Sequence, residues 1–139
     1  MIADTSFVVA LMNAADDDHE PVRDYYSGYR RSLVTTPLAL AEIDHLVSRT
    51  AGPAAAAVLR EQLGTGALRV EWWPSAVHAT VEVAARYESL GIGLTDASLV
   101  VLAERLGTAA IGTLDERHFR RLAPLTGEPA FTLLPADAA

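Results

Sequence analysis

Short apolar runs alternate with stretches of helical period along this chain, beginning at its first residues. Met1-Ile2-Ala3 is apolar, Asp4 follows at once, and Thr5 and Ser6 precede Phe7-Val8-Val9-Ala10-Leu11. The expected structure is a short buried strand giving way to a helix at Asp4, with Thr5 or Ser6 as N-cap. The pattern recurs. Ser32 to Thr35 reads as a second strand, and Thr36-Pro37 opens a helix with Thr36 as N-cap and proline at its first position. Leu68 to Trp73 alternates apolar and charged residues, which reads as a third, half-exposed strand. Ala109 to Thr113 is too short for a helix and reads as a buried strand, and Phe131 to Leu134 reads as the last strand.

The intervening segments carry helical signals. Asp16-Asp17-Asp18-His19-Glu20 reads as a solvated loop and helix start, because acids favour a first helical turn, and that helix is expected to reach Arg30-Arg31. Gly52-Pro53 and Gly64-Thr65-Gly66 bracket a helix over Ala54 to Leu63. Pro74-Ser75 opens another, reaching about Leu90, with Val77, Val81 and Ala84 or Ala85 expected on the core side. Trp72 and Trp73 are expected to be packing residues. From Ala97 to Ala103 no charge interrupts the helix, so burial nearly all round is expected, with Gly107 just past its end. Glu116 to Arg121 should form a short helix. Strand and helix in alternation predict an α/β protein, and no repeat, linker or composition break divides residues 1–139 into more than one domain.

Composition narrows the chemistry. The 139 residues are 50% hydrophobic, enough for a sizeable core, and include no cysteine, which excludes disulfides, thiolate chemistry and Cys-containing zinc sites. No apolar window reaches membrane-spanning length, and Asp4 comes too early for a secretory signal, so a cytoplasmic protein without a membrane partner is expected. All eleven basic residues are arginine. The missing lysine removes P-loop, Schiff-base and phosphoryl-clamping lysine chemistry. A formal charge of −7 argues against a protein that coats nucleic acid, yet a nuclease whose acids gather metal ions would contribute such charge itself.

The acids carry the functional signal as a set. Asp4, Asp96 and Asp115 each stand at a turn into a helix, and an acid of the Thr36-Pro37 helix lies just past another turn. Within that helix, Glu42 and Asp44 both have largely apolar neighbours, so periodicity does not choose between them. Any one of these acids could be a helix cap or a dipole-friendly residue. Parallel right-handed crossovers would bring such turns to one edge of a sheet, where ligands bind. Gathered carboxylates repel unless they bind cations, and hard oxygen donors without a Cys or His partner suit Mg²⁺ or Mn²⁺.

The chain resembles the PIN-domain family and, within it, the VapC toxins of bacterial type II toxin–antitoxin pairs. The resemblance rests on Ile2-Ala3-Asp4-Thr5-Ser6, on the Thr36-Pro37 helix with Ala41-Glu42-Ile43, on Leu94-Thr95-Asp96-Ala97, and on Thr113-Leu114-Asp115-Glu116-Arg117-His118-Phe119. It implies a three-layer α/β/α sandwich around a short, mostly parallel sheet. It selects Glu42 over Asp44 and implies Asp4, Glu42, Asp96 and Asp115 as catalytic, metal-binding acids, with Ser6 and Thr113 supporting them. The implied activity is Mg²⁺- or Mn²⁺-dependent endoribonuclease cleavage leaving a 5′-phosphate and a 3′-hydroxyl. The implied partners are a VapB-type antitoxin, an RNA substrate and a second copy of the chain. The very short lead into Asp4 departs from the family pattern.

Haloacid-dehalogenase phosphatases and receiver domains also place acids at strand ends, but both use a lysine near the phosphoryl group, and this chain has none. A PIN-like scaffold that binds RNA or protein without cutting is the alternative; retention of all four acids weighs against it. Arg117, Arg120 and Arg121 follow Asp115 closely and are the candidates for holding RNA phosphates, although a solvated face balancing nearby acids would look the same.

Overall fold

The computed structural model describes residues 1–139. Five short strands, β1 (Ile2–Ala3), β2 (Leu33–Thr35), β3 (Leu68–Val70), β4 (Ala110–Gly112) and β5 (Thr132–Leu134), form one sheet in the order β3-β2-β1-β4-β5. Every pairing is parallel, with Ile2 opposite Val34 on one side and Ile111 on the other. The helices are α1 (Thr5–Met12), α2 (His19–Gly28), α3 (Pro37–Thr50), α4 (Gly52–Thr65), α5 (Ala76–Arg86), α6 (Leu94–Leu106) and α7 (Glu116–Phe119), with a 3₁₀ turn at Glu88–Leu90. The chain winds from β1 to β3 in one direction, then crosses back to β4 and β5. Right-handed crossovers running in opposite directions place helices on both faces, giving the α/β/α sandwich.

This winding makes the space between β1 and β4 the topological switch point, where a crevice opens at the carboxyl ends of the strands. Asp4 follows β1 and Thr113 follows β4, so the two flank that crevice. Close packing fixes their approach. A Cβ on Gly112 would stand 3.1 Å from the Phe7 ring and 3.1 Å from Met1 Cε, so any larger residue here would need both side chains to give way, and glycine lets α1 sit this close to β4 without that adjustment.

Ile2, Phe7, Ile43, Leu99, Leu102, Ile111, Phe119 and Leu133 are fully buried, and α6 is buried without interruption from Ala97 to Ala103, as its uncharged run predicts. Gly107 caps α6 in the left-handed conformation. Other expectations need correction. The α1 N-cap is Asp4 itself, whose Oδ1 accepts the Thr5 amide at 2.7 Å, so neither Thr5 nor Ser6 serves as cap. Helix α2 stops at Gly28, short of Arg30-Arg31, and β3 stops at Val70, short of the tryptophans. Trp73 packs partly against the core under the Arg105 guanidinium, 4.8 Å from the ring centroid, whereas Trp72 is exposed.

The inner face of α5 was expected at Val77, Val81 and Ala84 or Ala85. The buried residues are instead Ala76, Thr80 and Val83, while Val77 and Val81 are 59% and 51% exposed. Ala84 is partly buried against the core, and Ala85 faces solvent. Residue size does not decide this phase, since valine stands on both faces; the inner stripe at Ala76, Thr80 and Val83 leaves Val77 and Val81 as an exposed apolar pair.

Candidate active site

Asp4 anchors the site. It is 5% exposed, and Oδ2 accepts hydroxyl hydrogen bonds from Ser6 at 2.9 Å and Thr113 at 2.8 Å. The Ser6 hydroxyl in turn accepts the Leu114 amide at 2.9 Å, and the Thr113 hydroxyl accepts the Asp115 amide at 3.0 Å. Two hydroxyls therefore join the end of β1 to the loop after β4. Burial raises the Asp4 carboxyl above the ordinary carboxylate range against the opposing pull of these hydrogen bonds, and the charge of Asp115 adds to the rise.

Glu42 reaches the site from α3, whose start is fixed by the Thr36 hydroxyl accepting the Ala39 amide. Thr5 Oγ1 donates to Glu42 Oε2 at 3.1 Å, and Thr95 Oγ1 donates to Oε1 at 3.1 Å. The residue beside each of two aspartates thus holds the glutamate. Thr36 and Ser98 share a buried hydrogen bond of 2.8 Å that ties the start of α3 to α6.

Asp96 sits in the first turn of α6 and Asp115 is the N-cap of α7, where its Oδ1 accepts the His118 amide at 3.1 Å. His118, one turn along α7, turns its ring back toward both acids. Its Nδ1 lies 2.9 Å from Asp115 Oδ2 and 3.3 Å from Asp96 Oδ2. One ligand atom from each of Asp96, Asp115 and His118 falls within 4.8 Å of the others, an arrangement that could hold a metal ion. Desolvation pushes the Asp96 carboxyl up to about 6, helped by the charges of Asp4, Asp115 and Glu42 and opposed by His118. Asp96 therefore feels the charge of the other three acids. A site that so penalises its own negative charge suits a cation.

Residues 1–125 match the family model of the PIN domain. The chain belongs to the PIN-domain family. It is 38% identical over 136 residues to ribonuclease VapC26 of Mycobacterium tuberculosis, an alignment covering 97% of this chain and 100% of that protein. The crystal structure of VapC20 from the same organism, described as a sarcin–ricin loop cleaving toxin, superposes with a TM-score of 0.75 at 22% identity. That match covers 83% of this chain and 89% of the other and shows a common fold.

Within this PIN domain the predicted residues are not all alike. Asp96 and Asp115 share the histidine, Asp4 is joined through Ser6 and Thr113 to the Leu114 and Asp115 amides, and Glu42 stands at the exposed side on its two threonines. Asp4 and Asp115 are also helix caps, so capping and clustering are compatible roles. Arg120 is committed elsewhere, with two 2.7 Å bonds to Asp137 and two bonds to Glu116. Arg117 and Arg121 are exposed and free of ion pairs. The expectation of oxygen donors with no histidine beside them fails at His118. The signal for it was its position three residues after Asp115, one helical turn along the same short helix.

Proposed function

We propose that this PIN domain is a metal-dependent endoribonuclease and the toxin of a type II toxin–antitoxin pair, with Asp4, Glu42, Asp96 and Asp115 as its metal-binding acids. The observation that carries this reading is the convergence of coupled acids on the switch point of the sheet, in a chain so similar to a VapC ribonuclease. A bound divalent ion, Mg²⁺ or Mn²⁺, would supply an activated water and neutralise charge on the phosphodiester. The chain's own residues supply the rest. Ser6 and Thr113 hold Asp4 ionisable in a buried setting, Thr5 and Thr95 aim Glu42, and the amide-capped Asp115 keeps its second oxygen free of the helix end. Arg117 and Arg121, exposed and close in sequence to Asp115, would hold RNA phosphates outside the acidic centre. The products would carry a 5′-phosphate and a 3′-hydroxyl. An inactive RNA- or protein-binding scaffold would have no use for so costly a gathering of charge.

The surface accommodates the proposed partners. Trp72, Val77, Val81 and Leu94 are exposed apolar residues on one side, a face suited to a second copy of the chain. On another side Val8, Leu11, Met12, Tyr26, Leu33, Val58 and Leu68 line an open apolar cavity of ≈ 220 Å³, where a VapB-type antitoxin segment would bury its side chains. No helix is long and apolar enough to cross a membrane, and we place the toxin in the cytoplasm with its RNA.

The test is cleavage of total RNA with and without chelator, followed by sequencing of the new ends. Cleavage is expected only with Mg²⁺ or Mn²⁺ and to be lost in Asp96→Asn, which should still fold. Undiminished cutting after exhaustive chelation would overturn the reading.

A further inference from the structure

The acids alone do not account for the centre of this site, because an imidazole nitrogen is wedged between two of them. A hydrated Mg²⁺ does not call for such a neighbour as a ligand, since it favours oxygen ligands and keeps several waters. Nδ1 of His118, not the outer Nε2, faces Asp96 and Asp115, at 3.3 and 2.9 Å from their Oδ2 atoms. Neighbouring ligands of an octahedral ion at about 2.1 Å lie roughly 3.0 Å apart. The nitrogen thus stands near that spacing from each oxygen, and one ligand atom of each of the three residues lies within 4.8 Å of the others. His118 is half-buried and held from behind, because α7 begins at the Asp115 cap and its amide is bonded to Asp115 Oδ1 at 3.1 Å. The carboxylate of Asp115 is thus bonded to both the amide and the ring of His118.

We propose that His118 is a metal ligand through Nδ1, so that Asp96, Asp115 and His118 form a mixed nitrogen–oxygen site that prefers Mn²⁺ over Mg²⁺. This rests on the metal-dependent reading above and adds a residue and a selectivity to it. Without metal, Nδ1 can bond carboxylate oxygens only while a proton lies between them. With an ion bound, the same nitrogen offers its lone pair and the ring keeps its proton on Nε2. Imidazole raises affinity for first-row transition ions, and Mn²⁺ is the one among them that the remaining carboxylates also suit.

The experiment is pulsed EPR of Mn²⁺-loaded protein, together with calorimetric titration by Mn²⁺ and by Mg²⁺. The proteins are wild type, His118→Ala, His118→Asn and Asp96→Asn, with folding checked by circular dichroism. Wild-type Mn²⁺ should show a ¹⁴N coupling from imidazole, absent in both His118 variants. His118→Ala should weaken Mn²⁺ by at least about tenfold, as loss of even outer-shell partners does, and Mg²⁺ by less than about threefold. His118→Asn, which keeps a hydrogen-bonding group near the Nδ1 position, should lose most of the Mn²⁺ preference. Asp96→Asn should weaken both ions. Bound Mn²⁺ with no ¹⁴N coupling in the wild type, or an unchanged ion preference in His118→Asn, would overturn the ligand assignment. His118 would then only orient the acids, and the metal-dependent reading would stand. Failure of the wild type to bind either ion would remove both.

Discussion

Thr95 Oγ1 donates to Glu42 Oε1 at 3.1 Å, tying the residue just before Asp96 to an acid 53 positions earlier in the chain. Thr5, just after Asp4, holds the other carboxylate oxygen. Because Glu42 is exposed, burial does not fix its carboxylate, and these hydroxyls do. Thr95→Val keeps the shape and removes the donor. An exposed bond of this kind contributes about 1 kcal/mol, so the cleavage rate should fall roughly fivefold. The melting temperature should barely move. Rate measurements beside thermal melts check this, and an unchanged rate in a Thr5→Val, Thr95→Val double variant would show that Glu42 needs no such support.

Asp96 gives a pH dependence with a definite sign. Its folded-state value of about 6 lies above the ordinary 3.8, so the folded protein binds this proton more tightly than the unfolded chain. The stabilisation is complete below about pH 4 and is lost as pH rises through 6. For a partly solvated group this difference is on the order of 1–2 kcal/mol. In metal-free protein, the stability of wild type relative to Asp96→Asn should therefore decline across that window. Metal affinity should move the opposite way, weakening as pH drops below 6, because proton and ion compete for the same oxygen. Denaturant melts at several pH values, with and without Mn²⁺, test both signs; parallel curves for the two proteins would refute the assignment.

How far the sequence reveals this arrangement varies with the physics at each position. Thr36-Pro37 fixes the start of α3 because a cap and a proline act locally, and the charge-free run of α6 announces burial on every side. The phase of α5 was misread because Val77 and Val81 satisfy the helical period as well as Ala76, Thr80 and Val83 do. Periodicity finds an apolar stripe but does not say whether core or a partner covers it. Thr5 and Thr95 looked like helix-start residues, since their common target, Glu42, is distant in sequence. His118 was passed over for a related reason. Its one-turn spacing from Asp115 is legible, but only the folded chain brings Asp96 to it.

Thr80 provides a stability prediction independent of the active site. Its hydroxyl is buried on the inner face of α5 and is the one buried side-chain polar atom without a hydrogen-bond partner. Thr80→Val replaces it with a methyl of nearly equal volume. Removing an unsatisfied hydroxyl should stabilise the protein by about 1 kcal/mol, seen as a higher melting temperature. A lower melting temperature would mean that the hydroxyl has a partner in solution.

The three arginines near Asp115 should separate by role. Arg120 is bidentate to Asp137, and the pair ties the segment after β5 to α7. Arg120→Ala should lower thermal stability and leave the salt dependence of RNA binding nearly unchanged. Arg117→Ala and Arg121→Ala should each weaken binding of a catalytically dead variant across RNA sequences and reduce the salt slope by about one unit or less. Fluorescence anisotropy at several salt concentrations distinguishes these outcomes; an unaltered slope in the Arg117, Arg121 double variant would return both to the solvated surface.

Inhibition by the antitoxin should exploit the same charge that the metal neutralises. Desolvation and the surrounding carboxylates raise the cost of ionising Asp96, and desolvation with Asp115 does so for Asp4, so a basic side chain entering the crevice would be welcomed there. Arginine suits this role because its planar fork can hold a carboxylate bidentately. A single exposed pair contributes only about 0–1 kcal/mol, so the segment must also bury apolar residues, and the cavity beside Leu11, Tyr26 and Val58 offers the surface for it. Arginine and metal would compete for the same oxygens, so rising Mg²⁺ should weaken inhibition. The toxin can be titrated with its antitoxin at several Mg²⁺ concentrations, then with the arginine changed to alanine. Both changes should raise the antitoxin concentration needed for half-inhibition, whereas Leu11→Asp in the toxin should weaken binding at every Mg²⁺ concentration alike. If neither Mg²⁺ nor the arginine matters, the block lies away from the acids, most simply at Arg117 and Arg121 or at the Val77–Val81 face where the second copy would sit.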